Sequence, residues 1–182
     1  FGQGGKDGEY PRLAGMPALF IAQQLELFRD RKRPNLAMIE YIDERQMPAE
    51  DILHISHYLA GLKLNTRLPA VDETAADFDA YARLLESKKL MQIPRSEGNI
   101  ESGEKLYKKE CASCHGKDGY GDERKVVPLL AGQYTEYLWR QVEKLRKRIR
   151  IHDVDDPKDE LLDAFSDAEL ADIFAWLSTA DD

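Results

Sequence analysis

The 182-residue chain contains only two cysteines, Cys111 and Cys114, which lie three positions apart. Cysteines this close cannot cross-link distant segments, so the disulfide framework of a small exported protein is excluded. No uninterrupted apolar run approaches the 18 or so residues that a membrane-spanning helix requires, and we therefore expect no transmembrane segment. Segments that alternate apolar and polar residues are also lacking, so we expect no β-strand.

Basic residues are in deficit as well. The formal net charge is -8 and the sequence pI is about 5.1. Affinity for nucleic acid comes mainly from basic contacts to phosphate, so an acidic chain is not expected to bind nucleic acid. An acidic surface instead favours docking on a basic protein partner.

The chain repeats itself. Pro-Arg-Leu-Ala-Gly at residues 11–15 recurs as Pro-Leu-Leu-Ala-Gly at residues 128–132, 117 positions later (Pro11 against Pro128). Pairs with the same spacing are Gly2 with Gly119, Gly4 with Gly121, Gln24 with Gln141, Arg29 with Arg146 and Arg33 with Arg150. A repeat of this kind predicts homologous structural units. We therefore expect one domain over residues 1–62, a linker over 63–98 and a second domain over 99–182.

The sequence of each domain predicts helices, and we therefore expect an all-α fold. Apolar residues at helical spacing predict helices that begin after Pro17 and that cover 48–59, 100–111 and 134–150. A last helix begins at Ser166, where Glu169 completes a capping box. The linker is expected to carry one helix over 74–90 that packs across the two domains.

The chemistry is concentrated in Cys111-Ala112-Ser113-Cys114-His115, the C-x-x-C-H pattern that attaches c-type haem. Two thiols three positions apart at a helix end reach the two vinyl groups on one edge of a porphyrin. The next residue, His115, then lies under the iron and supplies a neutral imidazole as proximal ligand. This predicts one covalent haem c.

A C-x-x-C pair has two other common uses, in a zinc site and in a redox-active disulfide. A zinc site needs two further Cys or His ligands at suitable spacing, and the chain has no second cysteine pair. A redox-active disulfide of the thioredoxin type is expected at a strand-to-helix turn. Here the pair ends a helix in an all-helical neighbourhood, which favours haem attachment.

The segment from Gly103 to Tyr107, the motif that follows it and the segment from Leu130 to Tyr134 together resemble the second domain of a cytochrome c4, a two-domain and usually two-haem periplasmic carrier. Residues 12–15 and 28–33 resemble its first domain. The resemblance implies two tandem class I cytochrome c-like helical domains joined by a partly helical linker.

The same resemblance implies electron transfer as the activity. It also implies that Pro128, Leu130 and Tyr134 line the haem site, with the Pro128 carbonyl accepting the second ring proton of His115. Because haem is attached covalently outside the cytoplasmic membrane, we expect an exported, periplasmic protein. Its partner is expected to be a redox protein, either a dehydrogenase, an oxidase or a reductase.

The first domain departs from this pattern. By the repeat spacing, its haem histidine would fall before Phe1, so this half lacks an attachment motif in the present chain. We expect it to keep a cytochrome-like fold, with side chains such as Leu13, Met16, Phe20 and Met38 filling the haem space. Met38 lies near the expected place of a distal methionine, but a core role is at least as plausible on sequence grounds.

The second domain differs from the cytochrome c4 pattern in the expected sixth ligand of the iron. All four methionines, at positions 16, 38, 47 and 91, precede the motif, so methionine from this domain is excluded. We expect His152 as the distal ligand, with Lys158 or an open site as alternatives. An open iron would instead favour a haem enzyme or a ligand sensor. Six basic residues between Arg140 and Arg150 suggest either a docking patch or a solvated helix face.

Overall fold

A computed structural model describes residues 2–5, 8–88, 90–91, 93–153, 156 and 160–179. The first half contains α1 (Ala18–Arg29), α2 (Leu36–Ile39) and α3 (Ala49–Gly61), and the linker contains α4 (Ala80–Ser87). The second half contains α5 (Ile100–Glu110), α6 (Ala112–His115), α7 (Thr135–Arg146), a 3₁₀ turn (Leu161–Ala164) and α8 (Asp167–Leu177). Within the described ranges the only β pairing is an isolated bridge between Asp122 and Val127, and the all-α expectation is confirmed.

The second half is organised by the crossing of α5 and α8. Gly103 lies at the crossing point, where an added Cβ would come within 1.9 Å of the Asp172 carbonyl oxygen. This close approach of two helix backbones is possible only because residue 103 has no side chain. The core residues beside the crossing are Tyr107, Leu138, Val142, Leu170, Ile173, Phe174 and Leu177. The capping box at the start of α8 is present, as expected from Ser166 and Glu169.

The first half packs α1 against α3. Its core contains Met16, Ile21, Ala22, Leu25, Ile42, Ile52 and, from the other half, Leu129. Phe20 and Met38 are partly buried against this cluster. Met16, Phe20 and Met38 therefore contribute apolar packing here, and the expectation that they and Leu13 fill a haem space stays a prediction.

The repeat seen in the sequence is also a repeat in hydrogen bonding. The Gly2 carbonyl accepts the N–H groups of Leu13 and Ala14, both at 2.8 Å. The carbonyl of its counterpart Gly119 accepts the N–H groups of Leu130 and Ala131, at 2.7 and 2.9 Å. Gly2 and Gly119 have φ values of 71° and 82°, a region that favours glycine.

Equivalent residues of the two halves exchange contacts at their interface. Arg12 donates its backbone N–H to the Gln133 side-chain oxygen at 2.8 Å, and the Gln133 amide donates to the Arg12 carbonyl at 3.0 Å. In the related contact, the Leu129 N–H points to the Met16 sulfur at 3.3 Å. Arg12 and Leu129 share one repeat position, and Met16 and Gln133 share another. The two halves therefore pack with approximate two-fold symmetry.

Two expected helices are shorter in the structure. The long helix of the second half ends at Arg146 rather than at residue 150, because Arg148 takes a φ of 57° that stops helix propagation. The linker helix covers only Ala80–Ser87, and none of its residues is buried. The expectation that it packs across both domains is therefore wrong. Among the described residues, no helix is long and apolar enough to cross a bilayer.

Candidate haem site

The attachment motif begins where α5 ends. Cys111 is the C-cap residue of α5 and the N-cap residue of α6. The His115 N–H donates to the Cys111 carbonyl at 2.9 Å. One helical turn therefore carries the two thiols and the histidine, as the C-x-x-C-H motif predicts.

His115 is held in a defined orientation. Its ring is buried, and Nδ1 lies 3.0 Å from the Pro128 carbonyl oxygen. Burial lowers the pKa of His115 to about 4, although the Pro128 carbonyl opposes this shift and the nearby His152 and Arg150 add to it. The ring is therefore neutral at pH 7. With Nδ1–H donated to Pro128, Nε2 is the basic nitrogen available to a metal.

The cysteines do not resemble an activated redox pair. Both are free thiols, with Cys111 partly buried and Cys114 exposed. Burial raises the pKa of the Cys111 thiol to about 11, and the charges of Glu110 and Cys114 add to the rise. Redox-active cysteines have lowered pKa values instead. In the described ranges no cluster of three or more His, Cys, Asp or Glu side chains could hold a metal ion, which also disfavours zinc.

His152 lies close to His115. The centroids of the two rings are 6.1 Å apart and the ring planes are inclined by 34°. With metal–nitrogen bonds of about 2 Å, two imidazoles on opposite sides of one ion have centroids roughly 6 Å apart. The residues present therefore fit haem iron between these rings. The alternative ligand Lys158 lies outside the described residues.

Tyr107 supports the motif through a contact that the sequence pattern did not predict. Its hydroxyl donates to the Gly116 carbonyl at 2.8 Å, directly after the ligand histidine. Burial raises the pKa of Tyr107 well above its ordinary value, so the hydroxyl remains a donor. The Tyr107 ring also contacts Trp176, with centroids 4.5 Å apart. This bond ties α5 to the loop after His115.

Other residues expected at the haem site are placed as follows. Pro128 supplies the carbonyl described above, and Leu130 packs against the core of the second half. Tyr134 is buried and its hydroxyl donates to the Gln3 carbonyl of the first half at 3.1 Å. Haem contacts for Leu130 and Tyr134 stay predictions.

Most basic side chains in and after α7 form hydrogen bonds or ion pairs with other residues of the chain. Arg146 donates to the Leu162 and Phe165 carbonyls and pairs with Asp167, while Arg148 pairs with Asp163. Lys147 pairs with Glu143, and Arg150 donates to the Gln141 side chain. These partners disfavour a continuous docking patch of free cations.

The cytochrome c family matches residues 100–181, the part of the chain that contains the motif, His115 and His152. Residues 100–181 therefore form a c-type cytochrome domain. The two-domain architecture of the chain is shared with reduced cytochrome c4 from Pseudomonas stutzeri, with a TM-score of 0.67 over 94% of this chain and 85% of that one, at 17% identity. The fold expectation of two class I cytochrome domains is thereby confirmed, and electron transfer is the general function of this cytochrome.

Two further proteins resemble nearly the whole chain. The thiosulfate dehydrogenase electron acceptor of Thiomonas intermedia (strain K12) is 27% identical over 177 residues, which is 97% of this chain and 73% of that protein. A solved thiosulfate dehydrogenase from Marichromatium purpuratum is 26% identical, with a TM-score of 0.63. That similarity covers 98% of this chain but only 34% of the solved one.

Proposed function

We propose that this cytochrome is a periplasmic one-electron acceptor whose haem, attached at Cys111 and Cys114, has a closed iron site formed by His115 and His152. The observation that carries the proposal is the 6.1 Å separation of the two imidazole rings. When bound, haem c supplies a ferric/ferrous couple. The protein contributes two neutral nitrogen ligands and a buried, fixed proximal ring.

The fixed geometry suits electron transfer. His115 is anchored through Pro128, and the loop behind it is held by Tyr107. A second imidazole closes the remaining iron position, which leaves no place for a substrate to bind. An imidazole is expected to give a lower reduction potential than a methionine thioether, because methionine ligation raises it. This cytochrome is therefore expected to accept electrons at a lower potential than a His/Met carrier.

The proposed partner is a dehydrogenase that oxidises a small, reduced sulfur compound. This rests on the resemblance to the electron acceptor from Thiomonas intermedia. It rests also on the Marichromatium purpuratum dehydrogenase, of which only about a third matches this chain. The match covers about a third of that protein, so we propose that residues 1–182 form the electron-accepting part and that the sulfur chemistry takes place outside these residues.

Replacing His152 with Ala tests the iron site. In the native protein we expect a low-spin ferric signal by electron paramagnetic resonance, near-infrared bands typical of two imidazoles, and poor binding of CO to the ferrous form. The His152→Ala variant should become high-spin and bind CO readily. The matched control is His57→Ala, which removes an exposed histidine of α3 and should change neither property. If His152→Ala leaves the ligand-field bands unchanged, His152 is not a ligand and Lys158 becomes the better alternative.

Mass spectrometry tests the number of haems. We expect the 20.8 kDa polypeptide to carry one haem, and the Cys111→Ser/Cys114→Ser double variant to carry none. An unmodified native mass would overturn the proposal. A native protein purified from its periplasm with two haems would show that a further attachment motif is joined to this sequence.

A further inference from the structure

Two arginines at equivalent repeat positions meet between the halves. Arg33, which follows α1, donates to Gln24 at 2.7 Å within its own half and reaches across to Tyr137 and Gln141 at 3.3 and 3.4 Å. Arg150, which follows α7, donates to the same Gln141 oxygen at 2.7 Å and also bonds Tyr137. The two guanidinium groups thus share the polar side chains of one helix.

This pair of cations has no counter-charge within the described part of the chain. All hydrogen bonds given above go to neutral amide or hydroxyl oxygens, and neither arginine is in an ion pair there. Both guanidinium groups reach the same Gln141 oxygen, at 3.4 and 2.7 Å. Partly buried like charges are unfavourable unless an anion accompanies them. Both side chains nevertheless retain donor groups, since a guanidinium has five N–H bonds.

The cationic pair lies beside the iron site. Arg150 is two residues before His152, whose ring centroid lies 6.1 Å from that of His115. Arg33 is held from behind by the Phe28 ring, whose centroid lies 4.6 Å from the guanidinium carbon. This contact orients the guanidinium without neutralising it.

We propose that Arg33 and Arg150 together bind the propionate carboxylates of the haem attached at Cys111 and Cys114, so that the first half contributes a residue to the haem site of the second. The inference rests on the proposed function, because it requires haem on His115. Guanidinium groups match carboxylates in geometry and charge. The propionates would supply the negative charge that the pair lacks. Arg33 therefore acts as a positioning residue that links domain packing to the electrostatics of the haem.

The sign of the electrostatic effect follows from Coulomb's law. A cation near the haem favours the reduced state, which carries one positive charge fewer. Removal of Arg33 should therefore lower the reduction potential. We expect the equilibrium constant for reduction to fall about tenfold, which is about 59 mV for a one-electron couple. The shift should survive in high salt, because partly buried charges are screened weakly.

The test uses Arg33→Gln in the holoprotein, with Arg45→Gln as the matched control. Both substitutions remove one positive charge from the first half, and Arg45 is exposed. Spectroelectrochemical titration gives the potential, and infrared redox difference spectra of protein with ¹³C-labelled propionates report the carboxylates directly. We expect Arg33→Gln to lower the potential and shift the propionate bands, and Arg45→Gln to do neither. Arg33→Lys should restore most of the potential but only part of the band shift, because lysine lacks the fork of donors.

Failure of this inference is distinguishable from failure of the proposed function. A holoprotein with an intact two-imidazole spectrum whose potential and propionate bands match those of Arg45→Gln would overturn the role of Arg33 alone. Absence of haem, or an open iron in the native protein, would overturn the function itself. Arg150→Gln provides a second variant for the same measurements if Arg33→Gln does not fold.

Discussion

The two halves present the same final helix in different surroundings. In the second half, Ile173 of α8 is 3% exposed beneath α5. In this part of the chain the repeat spacing is 118 rather than 117, so the counterpart of Ile173 is Ile55 of α3, which is 38% exposed. Tyr58, at the position of Trp176, is 66% exposed. The apolar pattern is similar in both helices, so each has a face suited to burial. In the second half α5 covers that face at Gly103, whereas the repeat position equivalent to Gly103 lies before residue 1.

The largest effect is expected at that crossing. Gly103→Val places atoms where the Asp172 backbone already lies, since even a Cβ would come within 1.9 Å of its oxygen. We expect α5 and α8 to separate at a cost of at least about 3 kcal/mol in the free energy of unfolding, measured by denaturant titration. The control is Gly61→Ala in α3, where nothing lies within 4 Å of an added Cβ. Equal losses in the two variants would contradict the role of the crossing.

A smaller effect compares the equivalent isoleucines. Ile173→Ala removes a buried side chain from the core of the second half and should cost about 3 kcal/mol of unfolding free energy. Ile55→Ala removes a half-exposed one and should cost below about 1 kcal/mol. Thermal and chemical unfolding of the two variants would show the difference. A similar loss for Ile55→Ala would mean that the face of α3 is covered in solution.

The smallest effect concerns how the two helices begin. The Ser166 hydroxyl accepts a hydrogen bond from the Glu169 N–H, and the Glu169 carboxylate accepts one from the Ser166 N–H. Ser166→Ala should destabilise the second half by about 1 kcal/mol. The helix α3 begins at Pro48, which makes no side-chain cap bond, so Pro48→Ala should have a smaller effect. Hydrogen exchange at the first turn of each helix would measure both. Faster exchange in Pro48→Ala than in Ser166→Ala would contradict the comparison.

Expectations from the sequence succeeded where local chemistry decides the outcome. The C-x-x-C-H motif, the capping box at Ser166 and the glycines at 2 and 119 each prescribe a backbone conformation through nearby atoms. Their predicted structures are present. The linker helix was predicted too long: it covers Ala80–Ser87 rather than 74–90, and its Leu84 and Leu85 are exposed.

The sequence by itself determined the fold class, the repeat, the place of haem attachment and the exclusion of methionine from the second domain, because each depends on residue type and spacing. Tertiary structure decided which face of each repeated helix is buried. It also brought His152 close to His115, and placed Arg33 of one half beside Arg150 of the other. In the chain the two histidines are 37 positions apart and the two arginines are 117 positions apart. Their proximity arises from the docking of the two halves and from the φ of 57° at Arg148. No local sequence pattern predicts either feature.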